Sequence, residues 1–247
     1  MPRLEVTVPT ADGTCPATLH VADDGAPHPA VIMYPDAGGA RETIRAMADR
    51  LAEHGYTVLA PDVYYRVGEV PPFSMDTVFS DPGERQRLFT LIGSLTADMT
   101  RRDAEAFADF LAGRPEVRRG PIGTTGYCMG GRISLMVAGH LGERVGAAAS
   151  FHGGRLAVAD DPDSPASVAD RVRAEVYVGA AENDGSFDAK QQQRLRDAYA
   201  AAGVAYTIEE YAAAHGFAVP DNPPYDEAAA ERHWQAMTDL YGRALGR

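Results

Sequence analysis

Basic residues are in short supply in this chain. Lys and Arg number 23 against 35 Asp and Glu, a net charge of −12 at pH 7. A surface this acidic argues against nucleic acid and anionic membranes as partners. Long apolar runs are also missing, and none approaches the roughly 18 residues of a membrane span. The first residues, Met1-Pro2-Arg3-Leu4-Glu5-Val6, alternate charge with apolar side chains and show no signal-peptide core, so the cytoplasm is the expected location. Cysteine is scarce. Cys15 and Cys128 stand in unrelated contexts and form no C-x-x-C pair, which argues against a disulfide scaffold or a zinc site. Cys15 falls in an early strand and reads as a buried structural residue. Internal repeats and low-complexity linkers are absent.

What is present suits one domain over residues 1–247, a length that supports one sizeable core. Leu4 to Val8 alternates as an edge strand does, and after the Asp12-Gly13 turn Cys15 to Val21 reads as its hairpin partner. Pro29 to Tyr34 and Tyr56 to Ala60 are continuous apolar runs, as expected of central strands covered on both faces. Between them Arg41 to His54 carries Ile44, Met47, Ala48, Leu51 and Ala52 on one helical face, with Gly55 as its stop. Tyr64 to Thr77, rich in aromatics, Pro and Gly, reads as an excursion over a site. Asp81 to Leu95 and Ala97 to Leu111 read as helices. Strands are expected at Val145 to Phe151, Ala174 to Val178 and Val204 to Tyr211. A polar loop spans Asp160 to Asp170, and Asp188 to Gln191 resembles a capping box opening a helix that ends near Gly203. Tyr225 to Leu245 closes the chain as a helix. Helices alternating with buried strands imply an α/β fold with a mostly parallel central sheet, covered by helices on both faces and without a large cap domain.

The chain is organised around Gly126-Tyr127-Cys128-Met129-Gly130-Gly131. An apolar strand precedes it and an apolar helical run, Ile133 to Ala138, follows. This is the strand, sharp turn and helix of the G-x-S-x-G nucleophile elbow with cysteine at the apex. The turn forces its apex residue into a strained conformation, and Gly126 and Gly130 have no Cβ to block the approach of strand and helix. A thiolate is intrinsically nucleophilic, and a helix N-terminus favours negative charge there.

Two further residues complete a catalytic set. Cys128, Asp184 and His215 follow in the order nucleophile, acid, histidine, each just after an expected strand, so all three should meet at one sheet edge. His215 would serve as the base, and Asp184 would orient its ring. Glu182 and Asp188 are rival carboxylates. The backbone N–H of Met129, and one from Ala37 in the Pro35-Asp36-Ala37-Gly38-Gly39 loop, would form the oxyanion hole.

At these residues the chain resembles the dienelactone hydrolase (carboxymethylenebutenolidase) family of α/β-hydrolases. The resemblance runs from Val31 to Asp36 through Ala60 to Tyr64, Gly126 to Gly131 and Gly179 to Asp184, as far as Ala214-His215-Gly216-Phe217. It implies a cofactor-free cysteine hydrolase of small esters or lactones; no metal is expected, and the expected assembly is a monomer or homodimer. Two positions depart from the pattern. Asp36 stands where the dienelactone-cleaving members carry a glutamate near the cysteine. Of two arginines that clamp the substrate carboxylate in those members, one matches Arg87, whereas Val219 stands at the other position. Tyr64, His152 and Phe217 are further candidates for the pocket wall. A second reading is a hydrolase-fold protein without turnover, using Cys128 as a reactive or redox-sensing thiol.

Overall fold

The computed structural model describes residues 2–246. Eight strands form one sheet in the order β1-β2-β4-β3-β5-β6-β7-β8. Strand β1 (Arg3–Thr10) and β2 (Gly13–His20) form the expected hairpin, and β2 pairs antiparallel with β4 (Thr57–Pro61). All other pairings, through β3 (Ala30–Tyr34), β5 (Ile122–Tyr127), β6 (Val145–Phe151), β7 (Glu175–Ala181) and β8 (Tyr206–Tyr211), are parallel.

The apolar runs lie in the middle of the sheet because both of their faces are buried. Val31 and Met33 of β3 join one core, with α1 (Glu42–Glu53) and α6 (Glu227–Ala244). Ile32 and Tyr34 point the other way, into a core shared with α2 (Pro82–Ser94), α3 (Ala97–Ala112), α4 (Met129–Leu141) and α5 (Ala189–Ala202). This is the α/β-hydrolase arrangement expected from the alternation of elements. Cys15 is fully buried, its Sγ 3.3 Å from the Asp62 carbonyl, and burial pushes its thiol up to about 12.

The structure corrects the local reading in three places. β7 extends through Ala181, because β8 continues to pair with it as far as Tyr211; only the segment from Glu182 onward is loop. The expected polar loop at 160–170 contains a 3₁₀ helix, Pro165–Arg171. Only half of the capping box forms. Asp188 accepts from the Gln191 N–H at 2.8 Å, but the Gln191 side chain turns to the Ser186 carbonyl instead of the Asp188 backbone. Among the described residues no helix is long and apolar enough to cross a membrane.

Candidate active site

The carboxyl ends of β3, β5, β7 and β8 deliver Asp36, Cys128, Asp184 and His215 to one edge of the sheet, where open α/β sheets place their ligands. Cys128 is the turn between β5 and α4. Its φ of 53° and ψ of −114° are strained for a residue with a Cβ, a cost of about 1–3 kcal/mol. The surroundings hold it there. Its N–H donates to the Phe151 carbonyl at 3.1 Å, and its own carbonyl accepts from Gly131 at 3.1 Å.

The glycines are steric requirements. A Cβ at Gly126 would overlap the Gly130 carbonyl, and one at Gly130 would overlap the carbonyls of Tyr34 and Pro35. The elbow is therefore pressed against β3 as well as against its own strand. Gly131, which the motif also contains, leaves no room for a Cβ beside Ser150.

Asp184 and His215 are joined. His215 Nδ1 lies 2.6 Å from Asp184 Oδ2. The other carboxylate oxygen accepts from the backbone N–H and the hydroxyl of Ser186, at 2.8 and 2.7 Å. Burial alone would push Asp184 up, but the hydrogen bonds from His215 and Ser186 hold it below the usual carboxylate range. Burial likewise works against a charge on His215, and is outweighed. Hydrogen bonds to Asp184 and to the Cys128 thiol raise it to about 10. Of the rival carboxylates, Asp188 caps α5 and Glu182 is exposed. Among the described residues no cluster of His, Cys, Asp and Glu is arranged to hold a metal ion.

A cavity of about 450 Å³ opens over the thiol and is lined by Cys128, His215, Asp36, Ala37 and Asn222, with Met75 from the excursion after β4. Tyr64 does not line it. That residue is 2% exposed, and its hydroxyl donates to the Ala37 carbonyl at 3.0 Å and touches Met129 Sδ at 3.4 Å. It braces both residues proposed for the oxyanion hole instead of facing a substrate.

Three other expected pocket residues lie elsewhere. His152 is fully buried behind His215, ring centroids 5.2 Å apart, with φ of 40° and neither ring nitrogen hydrogen-bonded among the described residues. Burial holds it well below the usual imidazole range, hence neutral. Phe217 is also fully buried, stacked on Tyr211 and edge-on to His152. Arg87 binds Glu84 and the Pro71 carbonyl and stacks over Phe73, so it faces the excursion and not the thiol. Chain position at a strand end for His152, and the matched motif position for Arg87, do not place these side chains at the thiol, because packing decides which way each one points.

Among the described residues no hydrogen bond joins Asp36 to the Cys128 thiol. Its carboxylate is 3% exposed and held by Arg41 at 2.6 and 3.0 Å, by the Gly38 N–H and by Asn222. Arg41 was not foreseen as part of the site. It carried only the signal of a helix start, and its partner Asp221 is 180 residues away. Ser186 could have been anticipated, because Asp-Gly-Ser favours an Asx turn.

The family model of the Dienelactone hydrolase family matches residues 17–245. A Methylorubrum extorquens protein named "Putative carboxymethylenebutenolidase" is 29% identical over 245 residues, covering 96% of this chain and 79% of its own. Among solved structures, a Klebsiella pneumoniae protein named "Putative Dienelactone Hydrolase" superposes with a TM-score of 0.83 at 25% identity, with 98% of each chain covered. A dienelactone hydrolase-like promiscuous phosphotriesterase, P91, from metagenomic libraries gives 0.76 at 26% identity, with 99% of each chain covered. With the hydrolase fold, the strained elbow and a model match over nearly its whole length, this chain belongs to the dienelactone hydrolase family and is an ester or lactone hydrolase of that kind.

Proposed function

We propose that the protein hydrolyses small esters or lactones through an acyl-thioester on Cys128, with His215 as the acid and base and Asp184 as its orienting partner. The observation that carries this reading is the Asp184–His215 pair, 2.6 Å apart, whose imidazole lines the same cavity as Cys128 at the strained turn. The Cys128 proton goes to the His215 ring nitrogen that does not face Asp184. Sulfur attacks the carbonyl carbon, a C–S bond forms, and the carbonyl electron pair moves to oxygen. The Met129 and Ala37 N–H groups receive that oxyanion. As it collapses, the bond to the leaving oxygen breaks and His215 gives that oxygen the proton. Water, deprotonated by His215, attacks the thioester, and the proton returns to sulfur as the acid leaves.

In such a triad the attacking form is a thiolate beside an imidazolium. Such a nucleophile suits acyl groups with good leaving oxygens, such as enol lactones. The sensor reading has less support. A binding-only thiol has no use for the Asp184–His215 pair, and the other cysteine is fully buried.

The test is hydrolysis of p-nitrophenyl acetate and an enol lactone by the parent, Cys128→Ala and His215→Gln, with mass spectrometry of a quenched mixture. The expected results are an acyl adduct on Cys128 and loss of turnover in both variants. Activity of Cys128→Ala within about tenfold of the parent would sink the assignment.

A further inference from the structure

The cavity over Cys128 holds two carboxylates and, among the described lining residues, no lysine or arginine. Asp36 forms part of its inner wall and Asp76, exposed, part of its outer wall. Met75, Phe79, Pro223 and Pro224 supply apolar wall, and Ser80 and Asn222 are its uncharged polar members.

Three arginines lie on elements around the site, and each is committed elsewhere. Arg41 is 13% exposed and divides its fork between Asp36 and Asp221, meeting the latter twice at 2.7 Å. One guanidinium thus sits between two carboxylates, and Thr43 adds a third contact to Asp221 at 2.8 Å. Arg87 is turned to Glu84 and the Pro71 carbonyl. Arg132, one turn into α4, lines a separate cleft beside Met129 and binds the Asp163 carbonyl at 2.9 Å. Val219, where a clamp arginine would stand in dienelactone-cleaving relatives, is fully buried in the core with Phe217 and Trp234.

We propose that this site selects uncharged acyl substrates and rejects the same substrates when they carry a carboxylate. The inference rests on the Cys128 reading and narrows its substrate class. A carboxylate entering the cavity would leave water and meet one cation, His215, which is already paired with Asp184 at 2.6 Å, and no lysine or arginine among the described lining residues. It would also approach Asp36 and Asp76, and like charges brought together across a binding surface are strongly disfavoured. Asp221 is part of the selectivity, because it occupies the half of Arg41 that Asp36 leaves over.

The test is a matched pair, 5-carboxymethylene-butenolide as its free acid and as its methyl ester, followed by loss of the lactone chromophore at pH 7. Because the ester also withdraws electrons from the conjugated ring more strongly than the carboxylate does, each enzymatic rate is divided by the hydroxide-catalysed rate of the same lactone before the two are compared. The expected kcat/KM is at least about tenfold higher for the ester. Asp76→Asn should shrink the ester-to-acid ratio by removing one anion, and Asp221→Asn should shrink it by freeing part of Arg41. Added salt should shrink it as well, since Asp76 is exposed. Equal or faster turnover of the acid overturns the selectivity. A ratio unmoved by both substitutions and by salt overturns its electrostatic origin. p-Nitrophenyl acetate separates the two levels. If that ester is hydrolysed in a Cys128-dependent way while the acid equals the ester, only the selectivity falls. If neither lactone nor p-nitrophenyl acetate is turned over, the hydrolase reading falls and takes the selectivity with it.

Discussion

Arg41 grips Asp36 by both carboxylate oxygens, at 2.6 and 3.0 Å, directly beside the residue proposed to supply an oxyanion donor. The same guanidinium holds Asp221, next to Asn222, Pro223 and Pro224 of the opposite cavity wall. The pair thus ties the loop after β3 to the segment that follows His215. Gly38 leaves the space for it, since a Cβ there would lie 2.8 Å from Arg41 Nη1.

Arg41→Met is therefore expected to cost about 3–5 kcal/mol, because it strands a buried carboxylate. Asp36→Asn in that background should recover much of the loss, a coupling that a double-mutant cycle in urea measures. A single-variant cost below about 1 kcal/mol would show that the pair does not support the loop.

Gly130→Ala tests the elbow. The added methyl would overlap the carbonyls of Tyr34 and Pro35, backbone atoms that cannot rotate away. The expected loss is about 3 kcal/mol or more, or failure to fold, read as a shift in the urea midpoint. Gly185→Ala, where nothing lies within 4 Å of the new atom, is the control and should stay within about 0.5 kcal/mol.

Asp184→Asn should keep the fold and lower kcat by roughly 10³–10⁴, because the amide no longer fixes the tautomer or supports the imidazolium. Ser186→Ala removes one of two Ser186 donors to the same carboxylate, so the expected loss is smaller, about two- to tenfold. Steady-state kinetics on p-nitrophenyl acetate ranks them. The reverse order would mean that Asp184 is not the orienting acid.

Stability should fall on both sides of about pH 6.5, for opposite reasons. His215, raised from 6.5 to about 10, keeps a proton in the folded state that the unfolded chain releases. Its contribution is complete below about pH 6.5 and is lost as pH rises towards 10. His233 is fully buried, and burial lowers it to about 3. The unfolded chain takes up that proton and the folded one does not, so stability drops as pH falls from 6.5 towards 3. Urea midpoints across pH should show a flatter alkaline limb in His215→Gln and a flatter acid limb in His233→Gln. A parent profile level from pH 6.5 to 10 would contradict the firm proton on His215.

The sequence by itself determined the order of elements, the place of the elbow and the grouping of Cys128, Asp184 and His215 at one sheet edge. These follow from local causes. Apolar runs bury on both faces, turns need glycine where a Cβ has no room, and parallel strands present their carboxyl ends together. Only the tertiary structure decided which side chains face the thiol. His152 and Phe217 turn into the core, Arg87 turns to its own helix and the excursion, and Tyr64 braces the loop from behind. The Arg41–Asp221 ion pair spans 180 residues and leaves no periodicity, spacing or turn signal in the chain. Such a contact exists only once the sheet has brought the ends of β3 and β8 to the same edge, where a buried charge must find whatever counter-charge the packing has placed there.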